Sequence, residues 1–110
     1  MANKYLRKHL IPAATTETTI YTVPAANTAI ASSLRITNAG AASSVINIAV
    51  YPLGGATANY ILRSYSLPQN SVMDALSGVP LILEASDVLK VQSSVANVTF
   101  YLSYLEVDRS

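Results

Sequence analysis

The stretch Val98-Thr99-Phe100-Tyr101-Leu102-Ser103-Tyr104-Leu105-Glu106-Val107 decides the fold. Successive side chains of a strand point to opposite faces. A period of two therefore separates Val98, Phe100 and Leu102 from Thr99, Tyr101 and Ser103. The run is the most apolar in the chain and holds no proline. It predicts a long central strand buried on one face.

Working outward, the same period recurs. In Ala29–Thr37, Leu34 and Ile36 straddle Arg35; in Val45–Tyr51, Ile46, Ile48 and Val50 oppose Asn47. Further strands are predicted over Tyr5–Ile11, Thr18–Val23, Tyr60–Leu67, Leu81–Leu83 and Val88–Gln92. Ser71–Leu76 reads equally as a strand or a single helical turn. Proline lacks a backbone N–H, so Pro12, Pro24, Pro52 and Pro68 end ladders. Turns are predicted at Ala25–Thr28, Asn38-Ala39-Gly40, Gly54-Gly55, Gly78 and Glu84–Asp87. No segment of helical length carries a 3.6-residue period. Strands punctuated about every 8–12 residues, with no crossover helices, predict an all-β fold. The architecture expected is a single antiparallel β-sandwich or jelly-roll-like barrel of about seven to nine short strands. Residues 1–12 read as an N-terminal arm or edge strand, and 13–110 as the β-sandwich domain.

The composition fits one domain of 110 residues with its own core. Hydrophobic residues make up 51% and charged residues 12%, against about 25% charged in ordinary soluble domains. Such a surface resists association poorly, which points to neighbours covering part of it. A net charge of +1 supplies no field for steering nucleic acid. The absence of cysteine removes disulfides and thiol chemistry. Lys4, Arg7 and Lys8 resemble the start of a secretory leader, but the apolar run that follows is too short and meets Pro12. No run approaches the roughly 20 apolar residues of a membrane span. The expectation is a chain without a signal peptide, assembled in the cytoplasm.

Candidate chemistry is scarce. His9 is the single histidine, so a Ser-His-Asp site would have to assemble around a residue in the most polar segment. Transition-metal sites want several His or Cys ligands. Asp74, Glu84, Asp87 and Asp108 form no calcium loop. Glu17, Glu106 and Asp108 fall in loop-like or terminal positions, and Asp87 is placed to bond nearby backbone N–H groups. The chain reads as no enzyme, with no cofactor and no metal. Lys4, Tyr5, Arg7, Lys8, His9 and Leu10 make one basic segment with an aromatic. That combination suits single-stranded nucleic acid, but a near-neutral domain argues instead for an edge-protecting strand or an arm that grasps a neighbouring subunit. These six residues are the candidate partner contact. Outward tyrosines, Tyr60 and Tyr101 among them, give the alternative of a carbohydrate-binding module.

The stretch Thr18–Asn38, with its Val23-Pro24-Ala25 strand end, and the stretch Leu83-Glu-Ala-Ser-Asp-Val-Leu-Lys-Val91 resemble small β-sandwich virion proteins of tailed bacteriophages. Ile11-Pro-Ala-Ala-Thr-Thr16 is similar in style, and the likeness covers about two thirds of the chain. The family often carries Gly where this chain has Ala26 and Ser86. The resemblance implies a bacteriophage virion structural protein, most readily a capsid decoration (cement) protein stabilising contacts between capsid subunits. The alternative is a tail, fibre or baseplate-associated adaptor. The partners implied are the major capsid protein or other virion proteins, with a homo-oligomer, a trimer by analogy with decoration proteins. The location implied is the virion.

Overall fold

The structure, a computed structural model, describes residues 3–40, 42–76 and 79–108, the side chains of Asn3 and Asp108 excepted. The turn expected at Gly78 and the outermost residues of the 1–12 and 13–110 divisions lie outside them. The strands are β1 (Asn3–Leu10), β2 (Thr18–Thr22), β3 (Asn27–Asn38), β4 (Ser44–Tyr51), β5 (Asn59–Leu67), β6 (Ser71–Asp74), β7 (Leu81–Leu83), β8 (Val88–Ser93) and β9 (Val98–Asp108). A short 3-10 turn spans Pro52–Gly54.

Two antiparallel sheets pack face to face as a β-sandwich. One runs β1-β9-β3-β6, with β7 beside β3 in line with β6; the other runs β2-β8-β4-β5. Alternation in β9 is as its sequence dictates. Val98, Phe100 and Leu102 are fully buried, whereas Tyr101 is 38% exposed. Leu34 and Ile36 from β3 meet Ile46 and Ile48 from β4 and Leu89 and Val91 from β8 in one core. Burial of each such side chain stabilises the fold by about 1.5–3 kcal/mol relative to exposure. β9 lies between β1 and β3, with both of its ladders filled.

Three details depart from the sequence reading. The turn after Pro24 is shorter than expected: Asn27 N–H donates to the Pro24 carbonyl at 3.0 Å, and Asn27 and Thr28 already belong to β3, opposite Asp108 and Val107. Ser71–Leu76 divides into strand β6 and a turn. Asp74 Oδ1 makes that turn by accepting from Leu76 N–H at 3.0 Å and Leu34 N–H at 3.1 Å. Glu106 is neither loop-like nor terminal. It sits within β9 facing the opposite sheet, where the Tyr21 hydroxyl donates to Oε2 at 2.6 Å and Asn27 Nδ2 to Oε1 at 3.0 Å. Those two donors compensate the carboxylate for its partial loss of water.

The Asp87 carboxylate accepts from Glu84 N–H at 2.9 Å and from Leu53 N–H at 3.1 Å, tying the β7–β8 turn to the 3-10 turn. Ser86, where the resembled family often has Gly, has φ +68°. Leu53 is also left-handed, at φ +56° and ψ +23°, and its side chain is 78% exposed. A β-carbon in that region costs about 1–2 kcal/mol, part of which glycine gives back through its freer unfolded state. Leu53→Gly is therefore expected to stabilise the protein by about 0.5–1 kcal/mol and to raise the melting temperature by about 3–5 °C. Thermal unfolding followed by circular dichroism checks this, and an unchanged or lower midpoint contradicts it.

Candidate functional site

The six residues singled out in the sequence all lie on β1, an edge of the first sheet. Eight successive residues, Asn3 to Leu10, pair with Val107 to Phe100 without a register shift. Pairing across β9 sets their faces. Tyr5, Arg7 and His9 stand opposite Leu105, Ser103 and Tyr101 on the outer face. Lys4, Leu6, Lys8 and Leu10 stand opposite Glu106, Tyr104, Leu102 and Phe100 on the inner side. The basic segment is thus divided between two faces rather than gathered into one patch.

On the outer face, Arg7 Nη1 lies 3.4 Å from His9 Nδ1, and its guanidinium carbon lies 6.0 Å from the Tyr101 ring centroid. The His9 and Tyr101 rings are nearly parallel, with centroids 6.1 Å apart. Tyr5 is 86% exposed. On the inner side only Leu10 packs against the core. Leu6 and Lys8, with part of Arg7, line one side of a cleft of about 670 Å³. The cleft's opposite wall is β2, from Thr19 to Thr22, and its floor holds Tyr104 and Glu106. Tyr21 and Tyr104 pack there with ring centroids 4.3 Å apart. Burial, then the hydrogen bond to Glu106, pushes the Tyr21 phenol far above its ordinary range; burial and the Glu106 charge push Tyr104 up as well.

The remaining candidates are dispersed. Asp74 and Asp87 hold turns, and Glu17 accepts from the Tyr51 hydroxyl at 2.8 Å. Arg63 covers the Tyr60 ring at 4.7 Å and Lys90 the Tyr51 ring at 4.5 Å, so a cation already occupies one face of each. What the arrangement offers is recognition: a regular edge strand paired on one side only among the described residues, with cations on both faces and large exposed side chains.

The sequence reading overlooked a row of apolar residues crossing the outer face. Tyr5 on β1 is opposite Leu105 on β9, Leu105 is opposite Ile30 on β3, and Ile30 is opposite Ile82 on β7. Leu105 and Ile30 are half-buried, while Ile82 at the far end is 58% exposed. The signal available in the sequence was Leu81-Ile82-Leu83, whose middle residue must face away from its neighbours.

No protein-family model and no curated protein matches the chain. Solved structures do. A Bacillus endospore appendage protein, from a family described as disulfide-linked pili, superposes with a TM-score of 0.60 at 14% identity, over 99% of this chain and 88% of that one. A chain of the T13 IBDV viral particle gives a TM-score of 0.57 at 9% identity, over 94% of this chain and 30% of that one. A chain of the infectious bursal disease virus Gx strain gives 0.54 at 9% identity, over 96% and 33%. At these identities the likeness is one of fold.

Proposed function

We propose that the chain is a bacteriophage virion structural protein, a capsid decoration protein that bridges neighbouring capsid subunits with β1 as one of its contacts. The observation that carries the reading is the edge itself: eight regularly paired residues with β9 as their one ladder partner among the described residues. The role is mechanical, with no catalytic step assigned to any residue. Viral particles and spore pili are assemblies in which β-sandwich neighbours of this chain occur, and the sequence resemblance to virion proteins points the same way. Attachment to a symmetric lattice lets individually weak contacts add through effective concentration. Having no cysteine, the chain cannot use the disulfide links named for the spore pili.

A tail, fibre or baseplate adaptor is the second reading. The pilus protein favours it, being a fibre component matched over nearly its whole length. Immunogold microscopy of purified particles, with copy number from quantitative mass spectrometry, tests both. Dense labelling of the head at hundreds of copies is the expected result. Labelling confined to the tail at a few copies moves the protein to the second reading, and absence from particles overturns both.

A further inference from the structure

From the two ends of the first sheet we infer that copies of this chain join head to tail, β1 of one copy adding to the β7–β6 edge of the next. The inference deepens the structural role proposed above by naming the partner as a second copy.

The first requirement is direction. Every pairing in this sheet is antiparallel: β1 with β9, β9 with β3, and β3 with both β6 and β7. With four strands across, the two edges run in opposite directions. A second copy in the same orientation therefore continues the antiparallel alternation without a flip.

The second requirement is level and length. Following the register across the sheet, Tyr5 is level with Ile82, and His9 is level with Asp74 through Tyr101 and Arg35. Lys4, Tyr5 and Leu6 thus lie level with β7, and His9 and Leu10 with the near half of β6. Joining two copies at that level carries the row Tyr5-Leu105-Ile30-Ile82 into the Tyr5 of the next copy. The most exposed members of the row, Tyr5 at 86% and Ile82 at 58%, are the two that would cover each other. An exposed apolar residue at each end of one cross-strand row is what an interrupted sheet presents.

The third is charge. β1 brings Lys4, Arg7, Lys8 and His9. The opposite edge holds Glu84, one residue beyond the level of Lys4, and Asp74, which is level with His9 but stands opposite Arg35 in its own sheet, its Oδ1 already accepting from two backbone N–H groups. The same cations oppose β1 pairing with β1, because an antiparallel self-pair centred on Arg7 would bring like charges together. The second sheet offers no equivalent edge: β2 is five residues with one register shift, and β5 carries two register shifts with Ser64 at φ +56°. Such irregularity is how edges are kept from pairing. A contact between two different edges is heterologous, and it closes into a ring or extends as a filament according to the rotation at each junction.

The cysteine-free sequence makes the test direct. Residues facing each other across an antiparallel junction lie about 4.5–5.5 Å apart at Cα, within reach of a disulfide. Within one copy Tyr5 and Ile82 stand three strand spacings apart, about 14 Å, well beyond it. The full-length double variant Tyr5→Cys/Ile82→Cys is oxidised and run on a non-reducing gel beside each single variant. A second pair, Tyr5→Cys/Val72→Cys, serves as control, since Val72 is 59% exposed but about 20 Å further along the sheet. The expected result is a reducible ladder or closed-ring band from the first pair alone. A monomeric first pair, or equal ladders from both pairs, overturns the inference. Dimers from Tyr5→Cys alone would set β1 against β1 and overturn it too. Each of these outcomes leaves the particle-labelling result standing, so the two readings fail separately.

Discussion

Asn38→Leu is expected to destabilise the protein by about 3–4 kcal/mol and to lower its melting temperature by about 12–20 °C. Asn38 is the last residue of β3 and is fully buried. Its Nδ2 donates to the carbonyls of Ala42 at 2.9 Å and Leu67 at 3.1 Å, and its Oδ1 accepts from Gly40 N–H at 3.0 Å. One amide thereby holds the β3–β4 turn and pins the end of β5. Leucine has a similar branched shape but is bulkier, and it leaves these backbone groups without their partner, each at a cost of about 1 kcal/mol or more. Glycine is required at position 40, because a β-carbon there would come within 2.9 Å of the Ala96 carbonyl oxygen. Asn47 is the comparison. It lies half-exposed on the outer face of β4, bonded to Ser64 N–H at 2.7 Å, and Asn47→Leu should cost about 1 kcal/mol. Urea unfolding of the two variants separates the cases; equal losses would contradict the role given to Asn38.

The second large effect is expected in alkali. The Tyr21 phenol is held far above its ordinary value of 10.0, first by burial and then by its hydrogen bond to Glu106. Below pH 10 folded and unfolded chains both keep this proton, so stability is unaffected by the shift. Above it the unfolded chain releases the proton and the folded chain retains it. Stability then falls as pH rises, by up to about 1.4 kcal/mol per pH unit for this one phenol. Tyr104, shifted the same way, steepens the fall. Tyr21→Phe should cost about 1.5–3 kcal/mol at neutral pH, since it removes a hydrogen bond to a charged group. It should also make the alkaline loss shallower than in wild type. Urea midpoints from about pH 7 to 12 provide both readings. A variant as steep as wild type would show that Tyr21 does not carry the dependence.

Much of the fold was legible because strand existence depends on a local period. Leu34 and Ile36 around Arg35, and Phe100 beside Tyr101, reveal their faces without any knowledge of partners. Pairing is not local, and there the reading ran out. Nothing near Leu105, Ile30 or Ile82 announces that they share a row, because the row exists only once three distant segments are in register. Glu106 looked terminal by position, yet its partners Tyr21 and Asn27 are 85 and 79 residues away. Asn38 was read as a turn former from residue type, whereas it forms the turn with its side chain while its backbone remains in the strand. The basic segment was recognisable as an edge or arm from Lys4, Arg7 and Lys8. Its division into two faces was obscured because Lys8 occupies an inward position where a regular alternation would place an apolar residue.

The position of β9 between β1 and β3 has a consequence for how the chain is made. It is the last in chain order of the nine strands among the described residues, yet it separates the first from the third. Until it emerges, β1 has no neighbour and β3 lacks one of its two ladders. The larger sheet is therefore completed only when β9 docks between β1 and β3, although β3 can pair with β6 and β7 before that. Folds dominated by such distant pairings form in about milliseconds to seconds, slowly for their size. During that interval two incomplete edges stand open to other chains, the state in which strand pairing most readily goes astray.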